Sequence, residues 1–425
     1  MAAVKSIIRV VRSTDEMLVR RLLIDAPRVR DEKTAAAVDH IVTRVRREGD
    51  RAVRDFARRF DGTTGDLEVT RAEVARLARG VDAGTWKAIK AAARNIERVA
   101  RRQMPREWTC RPAPGVQVRQ RVTPLDRVGC YVPAGRHPLP SSLLMTAIPA
   151  AVAGVREIVV ACPRPDATVM AAATVAGVTR MFRVGGAHAI AALAYGTETV
   201  PRVDRIVGPG NRYVAAAKAR VARDCSIDFY AGPSEIVIVG AVGRAEWIAA
   251  DLIAQAEHDP DARALFVTWN GALARRVAAA VEARAPRTGA ARPALAHHGG
   301  IILTKDRREA IDLVNRAAPE HVVCESDAVA GEIRCAGSMF VGAWSAQAAG
   351  DYAIGSNHVL PTAGAARFRG GLSAADFVRV VTVQRLTPRG LRRLAPTIVA
   401  LARAEGLAAH AESIEVRLRS RSHTP

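Results

Sequence analysis

Between Arg127 and Gly342 the chain alternates between short β-rich runs and helix-forming stretches, joined by turns. The runs are "VGCYVP", "REIVVAC", "RMFRVGG" and "VDRIVGPGN", followed by "EIVIVGA", "RALFVTW", "GIILT", "EHVVCE" and "GSMFVG". Alternation this regular demands parallel sheets, because a crossover helix is what returns the chain to the same edge of a sheet. The chain therefore reads as α/β, with two Rossmann-like parallel-sheet domains and helical N-terminal and C-terminal extensions. The first four strands form one sheet unit and the later five another, divided near "FYAGPSE". Hydrophobic residues are 49% of the 425, enough to fill both cores.

The flanks carry a different period. "DHIVTRVRREGDRAVRDFARRFDG" and "EVARLARGVDAGTWKAIKAAARNIERVARRQ" place apolar residues at helical spacing. "WTCRPAPGVQVRQRVTPLDR" reads as a hairpin, and the segment from "SAADFVRVV" to the end reads as a helical tail. The expected partition is an α/β domain of 27–126 with 234–372, a second α/β domain of 127–233, and a helical extension of 1–26 with 373–425. No internal repeat is visible.

Composition narrows the function classes. Cysteines stand at 110, 130, 162, 225, 324 and 335 without a CxxC pair, which points to free thiols in a reducing, cytoplasmic setting. No apolar run reaches about 18 residues, so no membrane span is expected. The opening residues also lack the pattern of a signal peptide. The net charge of +21 raises nucleic acid as a partner. Yet the arginines are interleaved with acids, aromatics are 4% of the chain, and no nucleic-acid module is recognisable. A solvated basic surface without a nucleic-acid partner is the expectation.

The chemistry-bearing residues cluster in a few segments. In "IAADLIAQAEHDP", at about 100° per residue, Gln255 and His258 share the inward face of a helix that Pro260 should stop. An end-of-helix histidine bonded to a carbonyl is the plain alternative. Three Gly-rich turns, "VPAGRHPLPSSLLM", "VGGAHAIAAL" and "VGPGNRYVAAAKARV", follow strands and precede helices. They suit an anionic phosphate, or simply tight turns. "APEHVVCES" sets Glu320 beside His321 at a strand entrance that Pro319 should bend, so that both reach one cleft or form a surface pair. "GDYAIGSNHVLPT" reads as a loop carrying Asp351 and His358. "ARAEGLAAHAES" adds Glu405 and His410 on the tail. Gln255, His258, Asp351 and His410 together make a plausible N/O shell for a divalent transition metal.

In combination, "RVGCYVP", "RVGGAHAIAALAYGTETVP", "IVGPGNRYVAAAK", "DFYAGPSEIVIV", "DLIAQAEHDP", "APEHV", "GDYAIGSNHVLPT" and "AEGLAAH" resemble the histidinol dehydrogenase family over nearly the whole chain. The resemblance implies oxidation of L-histidinol to L-histidine through an aldehyde, with two NAD+ and one Zn2+ per site. It implies Gln255, His258, Asp351 and His410 as zinc ligands that also meet the substrate, and Glu320 and His321 as the acid–base pair. Ser234, His321, His358 and Glu405 would hold substrate, while Tyr131 and Asn211 would meet NAD. His188 stands where the family usually has a Gln that contacts NAD, and Ala134 alters a "VPGG" turn. The resemblance further implies a homodimer whose metal site takes its last ligand from the partner's tail.

Overall fold

The computed structural model describes residues 7–25, 32–133, 138–230 and 232–419; Ala134 lies outside them. Each of the nine expected runs contains a strand. All nine belong to one compact unit, Met1–Gln103 with Asp126–Phe377. The first sheet runs Arg9–Arg12, Gly300–Leu303, Arg263–Thr268, Glu235–Val239, His321–Cys324, Ser338–Val341, every neighbour parallel. Strands buried on both faces need no alternation: every residue of Glu235–Val239 and of Arg263–Thr268 is buried. The second sheet runs Glu68–Val69, Arg180–Phe182, Glu157–Ala161, Arg127–Tyr131, Arg205–Val207, Ser226–Ile227. Only its outermost pairing, Glu68–Val69 with Arg180–Phe182, is antiparallel.

The two sheets share one strand order, a duplication not apparent in the sequence. In each, one edge strand comes from earlier in the chain, and the other five start at a central strand, step outward twice, cross to the other side, and step outward again. The crossing point opens a crevice beside the central strand, at Glu235–Val239 in one sheet and Arg127–Tyr131 in the other.

The packing differs from the expected partition in several places: both α/β domains fall in one compact unit, and residues 104–125 leave it for the other. Helices Glu32–Glu48 and Asp50–Phe56 do not join the first sheet. Their Val38, Ile41, Val45 and Phe56 share a core with Phe182, Ile190 and Leu193 of the second. The N-terminal segment is not purely helical, because Arg9–Arg12 extends the first sheet. The tail is not purely helical either: Val378–Leu386 pairs antiparallel with Val116–Pro124. That stretch, "VRVVTVQRL", is a run of β-branched residues stiff at χ1, which favours a strand over a helix.

Residues Met104–Leu125 and Val378–Pro425 form the second compact unit. The expected hairpin is there, Trp108–Cys110 against Val116–Pro124. Two helices, Pro388–Ala404 and Ala408–Arg419, meet at a turn where Gly406 takes a left-handed φ of +74°. Leu407 N–H reaches back to the Ala402 carbonyl at 2.8 Å, closing the first helix. This turn carries Glu405 and starts the helix of His410, and both side chains are exposed.

Candidate active site

Residues from four segments of the first unit converge at the amino edge of the first sheet. Ser234 and Glu320 immediately precede the strands Glu235–Val239 and His321–Cys324. Gln255 and Asp351 close the helices Ala245–Ala256 and Gln347–Tyr352, which follow strands and so run back to that edge. Asp351 therefore ends a helix, not the loop expected at 350–362. The loop proper begins after it and bears His358.

Glu320 is the hub. Its Oε2 accepts from the Ser234 hydroxyl and from the Glu235 N–H, each at 2.8 Å. Ser234 Oγ in turn accepts from Gln255 Nε2 at 2.7 Å. Ala318, two residues upstream, takes a left-handed φ of +49° and supplies the bend expected before the strand. Glu320 Oε2 thereby comes 3.6 Å from His321 Nδ1, and both side chains are buried. Burial pushes the Glu320 carboxyl up to about 8, with the Asp351 charge adding to the shift. Burial also lowers the His321 pKa, against the pull of Asp351, and keeps the ring neutral near pH 7.

His321, which is buried, and His358, which is half-buried, each have a defined tautomer. His321 Nδ1 donates to the Glu235 carbonyl at 3.1 Å, and His358 Nδ1 donates to the Asp351 carbonyl at 3.0 Å. Each is left with a basic Nε2. Asp351 Oδ2 accepts from Gln347 Nε2 at 2.9 Å. Burial holds the His358 pKa down, Asp351 opposes that, and the neighbouring His321 and His258 add to the lowering.

Gln255 and His258 do not share one buried face. The helix ends at Ala256, four residues before Pro260, so helical spacing no longer applies at His258. Gln255 is fully buried, whereas His258 is exposed. Gln255 also supplies the test for a metal. Its amide nitrogen is committed to Ser234, and its Oε1 is the one buried side-chain oxygen without a hydrogen-bond partner among the described residues. An unsatisfied amide oxygen costs about 1–3 kcal/mol unless something binds it, and a divalent cation would. No cluster of three or more His, Cys, Asp or Glu poised for a metal is present among the described residues. Of the expected set this unit holds His258, Asp351 and the amide of Gln255, while His410 and the substrate residue Glu405 stand on the other unit.

The residues expected to meet NAD lie at or just past the carboxyl ends of strands in the second sheet. Tyr131 ends the central strand, and its hydroxyl accepts from Gly186 N–H at 3.1 Å. Burial pushes this phenol up to about 12. Asn211 caps the helix Arg212–Val221, accepting from the N–H groups of Tyr213 and Val214. His188 is buried, its Nε2 2.9 Å from Asp61 Oδ2, beside the stacked rings of Phe56 and Phe60. Sequence reasoning missed Asp61 and Glu235; Asp61 sits in a helical segment with no motif around it.

Comparison with known proteins shows the family. Residues 25–418 match the family model for histidinol dehydrogenase. The histidinol dehydrogenase of Methanothermobacter thermautotrophicus is 46% identical over 411 residues, covering 93% of this chain and 96% of the relative. That of Brucella suis is 47% identical, covering 91% of this chain and 93% of its own. The crystal structure of histidinol dehydrogenase from Elizabethkingia anophelis superposes with a TM-score of 0.91 at 30% identity, over 98% of this chain and 99% of that one. The chain belongs to the histidinol dehydrogenase family.

Proposed function

We propose that the protein oxidises L-histidinol to L-histidine through histidinal, as a zinc- and NAD-dependent enzyme of histidine biosynthesis in the cytoplasm. The observation that carries this reading is the Gln255–Ser234–Glu320 chain of hydrogen bonds ending beside His321, with the Gln255 oxygen left unpaired. His321 Nε2 takes the hydroxyl proton as the carbinol carbon gives up hydride. Glu320, once ionised, takes a proton from the water that adds to histidinal. His321, after passing its first proton to solvent, accepts the hydrate's hydroxyl proton as the second hydride leaves. Tyr131, His188 and Asn211 would hold NAD+, which would supply a hydride acceptor for both oxidations. Gln255, His258, Asp351 and His410 would hold zinc, which would supply a fixed charge that orients the substrate.

The substrate is a cation on a basic protein. Asp351, Glu320 and Glu405 supply the compensating negative charge, and a bound cation favours the ionised form of Glu320. Ser234 and His358 serve as hydrogen-bonding partners for the substrate. A cysteine thiohemiacetal is disfavoured as the route to the acid. Cys324, three residues past His321, is fully buried, and burial pushes its thiol up to about 11. No helix among the described residues is long and apolar enough to cross a membrane.

The second unit supports a homodimer with shared sites. Its buried apolar side chains are small or few, while Val380, Val381, Leu386, Leu401, Leu407, Val416 and Leu418 are exposed. A unit this poor in core is completed by a second copy, with Glu405 and His410 of the partner subunit closing the site. The test mixes two inactive proteins, His321→Ala and His410→Ala, by unfolding and refolding them together in equal amounts. In a shared arrangement a mixed dimer carries both lesions in one site and none in the other. Histidinol-dependent NADH formation then returns to about a quarter of the wild-type level. Mixed dimers that are present and fully inactive would place His410 in its own subunit's site.

A further inference from the structure

Glu235 ends the "AGPSE" motif, and no role described so far uses its side chain. Its peptide touches both members of the acid–base pair. The N–H donates to Glu320 Oε2 at 2.8 Å, and the carbonyl accepts from His321 Nδ1 at 3.1 Å. The carboxylate is buried and gripped from two sides. Arg263 Nη1 lies 3.5 Å from Oε2, and the Ala363 N–H donates to Oε1 at 3.1 Å. Arg263 is buried as well, and its other nitrogen donates to the carbonyls of Arg21 and Leu22. Ala363 ends the loop that bears His358 and holds a left-handed φ of +55°. Beside it, the Thr362 hydroxyl oxygen accepts from Gly232 N–H at 2.6 Å, just upstream of Ser234.

One carboxylate thus joins three parts: the strand entrance that orients Glu320 and His321, the end of the His358 loop, and the adjacent strand through Arg263. Stability does not account for it. Burial pushes the Glu235 carboxyl up to about 7 even with Arg263 opposing the shift. A well-packed apolar pair at such a place is commonly as stable as the ion pair. An apolar pair, however, offers no directional acceptor to a backbone N–H.

We propose that Glu235 is a positioning residue for the acid–base pair: its carboxylate, clamped by Arg263 and the Ala363 N–H, fixes the peptide that orients Glu320 and His321. The inference rests on the acid–base reading given above.

The test replaces both charges at once, in Glu235→Leu/Arg263→Met, so that no unpaired charge is left buried. Folding is followed by circular dichroism and thermal melting, and bound zinc, KM and kcat are measured on the full-length protein. A misaligned pair lowers kcat by about 10- to 100-fold, while KM for L-histidinol and the zinc content stay within about twofold of wild type. Glu235→Asp keeps the charge but shortens the reach to Ala363, and shows the same split with a loss of about tenfold; it decides the matter if the double variant does not fold. A kcat within about twofold of wild type in the folded variants overturns the proposal, as does a loss confined to KM and zinc. Wild-type protein without histidinol-dependent NADH formation overturns the acid–base reading and this proposal together. An active wild type with unaffected variants overturns this proposal alone.

Discussion

The two sheets have the same strand order and offer their chemistry from opposite edges. In the second sheet the candidate cofactor residues Tyr131, His188 and Asn211 all lie at or just past the carboxyl ends of strands, where open α/β sheets hold their ligands. Gly208, at φ +115°, lets the "GPGN" turn pass directly over the Tyr131 carbonyl, a place where a Cβ would collide. The first sheet has the matching crevice between Glu235–Val239 and His321–Cys324, and it is filled from within. Glu325 Oε2 accepts from the N–H groups of Ala241 and Val242, at 2.5 and 2.9 Å. Those are the backbone donors an anionic phosphate would need. Its candidate active site lies instead at the amino edge, assembled from strand entrances and the C-terminal ends of returning helices. Topology alone offers two nucleotide crevices, and one glutamate removes the first.

The contrast is sharpened most by pH. Glu320 and Glu235 at the amino edge are raised from 4.5 to about 8 and about 7, so the folded state prefers them protonated. Their contribution to stability is complete below about pH 4.5 and is lost as pH rises through the folded values. In chelator-treated protein, urea unfolding should show Glu320 alone lowering the free energy by about 1.4 kcal/mol per pH unit across that interval. Glu320→Gln should flatten that part of the slope. An unchanged slope in the variant would mean that Glu320 does not carry the buried proton.

How far the sequence could be read follows from the same contrast. The nine strands were legible because sheets covered on both faces leave unbroken apolar runs, and the bend at Glu320 was legible from Pro319. The repeated strand order was not, since it resides in pairing rather than in residue identity. The strand Val378–Leu386 is masked in the sequence by helical neighbours, although its β-branched composition favours a strand. Gln255 and His258 were placed on one face by extending a helix past its true end at Ala256. The metal and cofactor assignments came from resemblance, because their residues lie in distant segments that no local period connects.

The second sheet is probed by Lys218. Its Nζ donates to Asp228 Oδ1 and to the Gly208 carbonyl, each at 2.6 Å, and Asp228 Oδ2 accepts from Gly208 N–H at 2.8 Å. The pair is buried and holds the "GPGN" turn in place. Lys218→Met leaves Asp228 unpaired and should destabilise the protein by about 3–5 kcal/mol. In the fraction that remains folded, NAD+ should bind more weakly, as read by calorimetry. Full retention of NAD+ affinity would separate the turn from the cofactor site.

A smaller effect tests the closed crevice. Glu325→Ala leaves the Ala241 and Val242 N–H groups without their acceptor, and chemical denaturation should show a loss of about 1–3 kcal/mol. NAD+ affinity should stay at the wild-type value, because the cofactor is assigned to the other sheet. Weakened NAD+ binding in this variant would break the comparison.

The central claim is that the amino edge of the first sheet carries an alcohol through two successive oxidations to an acid. It is tested by counting NADH formed per L-histidinol consumed, with a sulfonated diol as the competing substrate. The account predicts two NADH and one L-histidine for each L-histidinol, and no turnover of the diol. Oxidation of the diol in place of L-histidinol, or a reaction that stops at one NADH and releases histidinal, would contradict it.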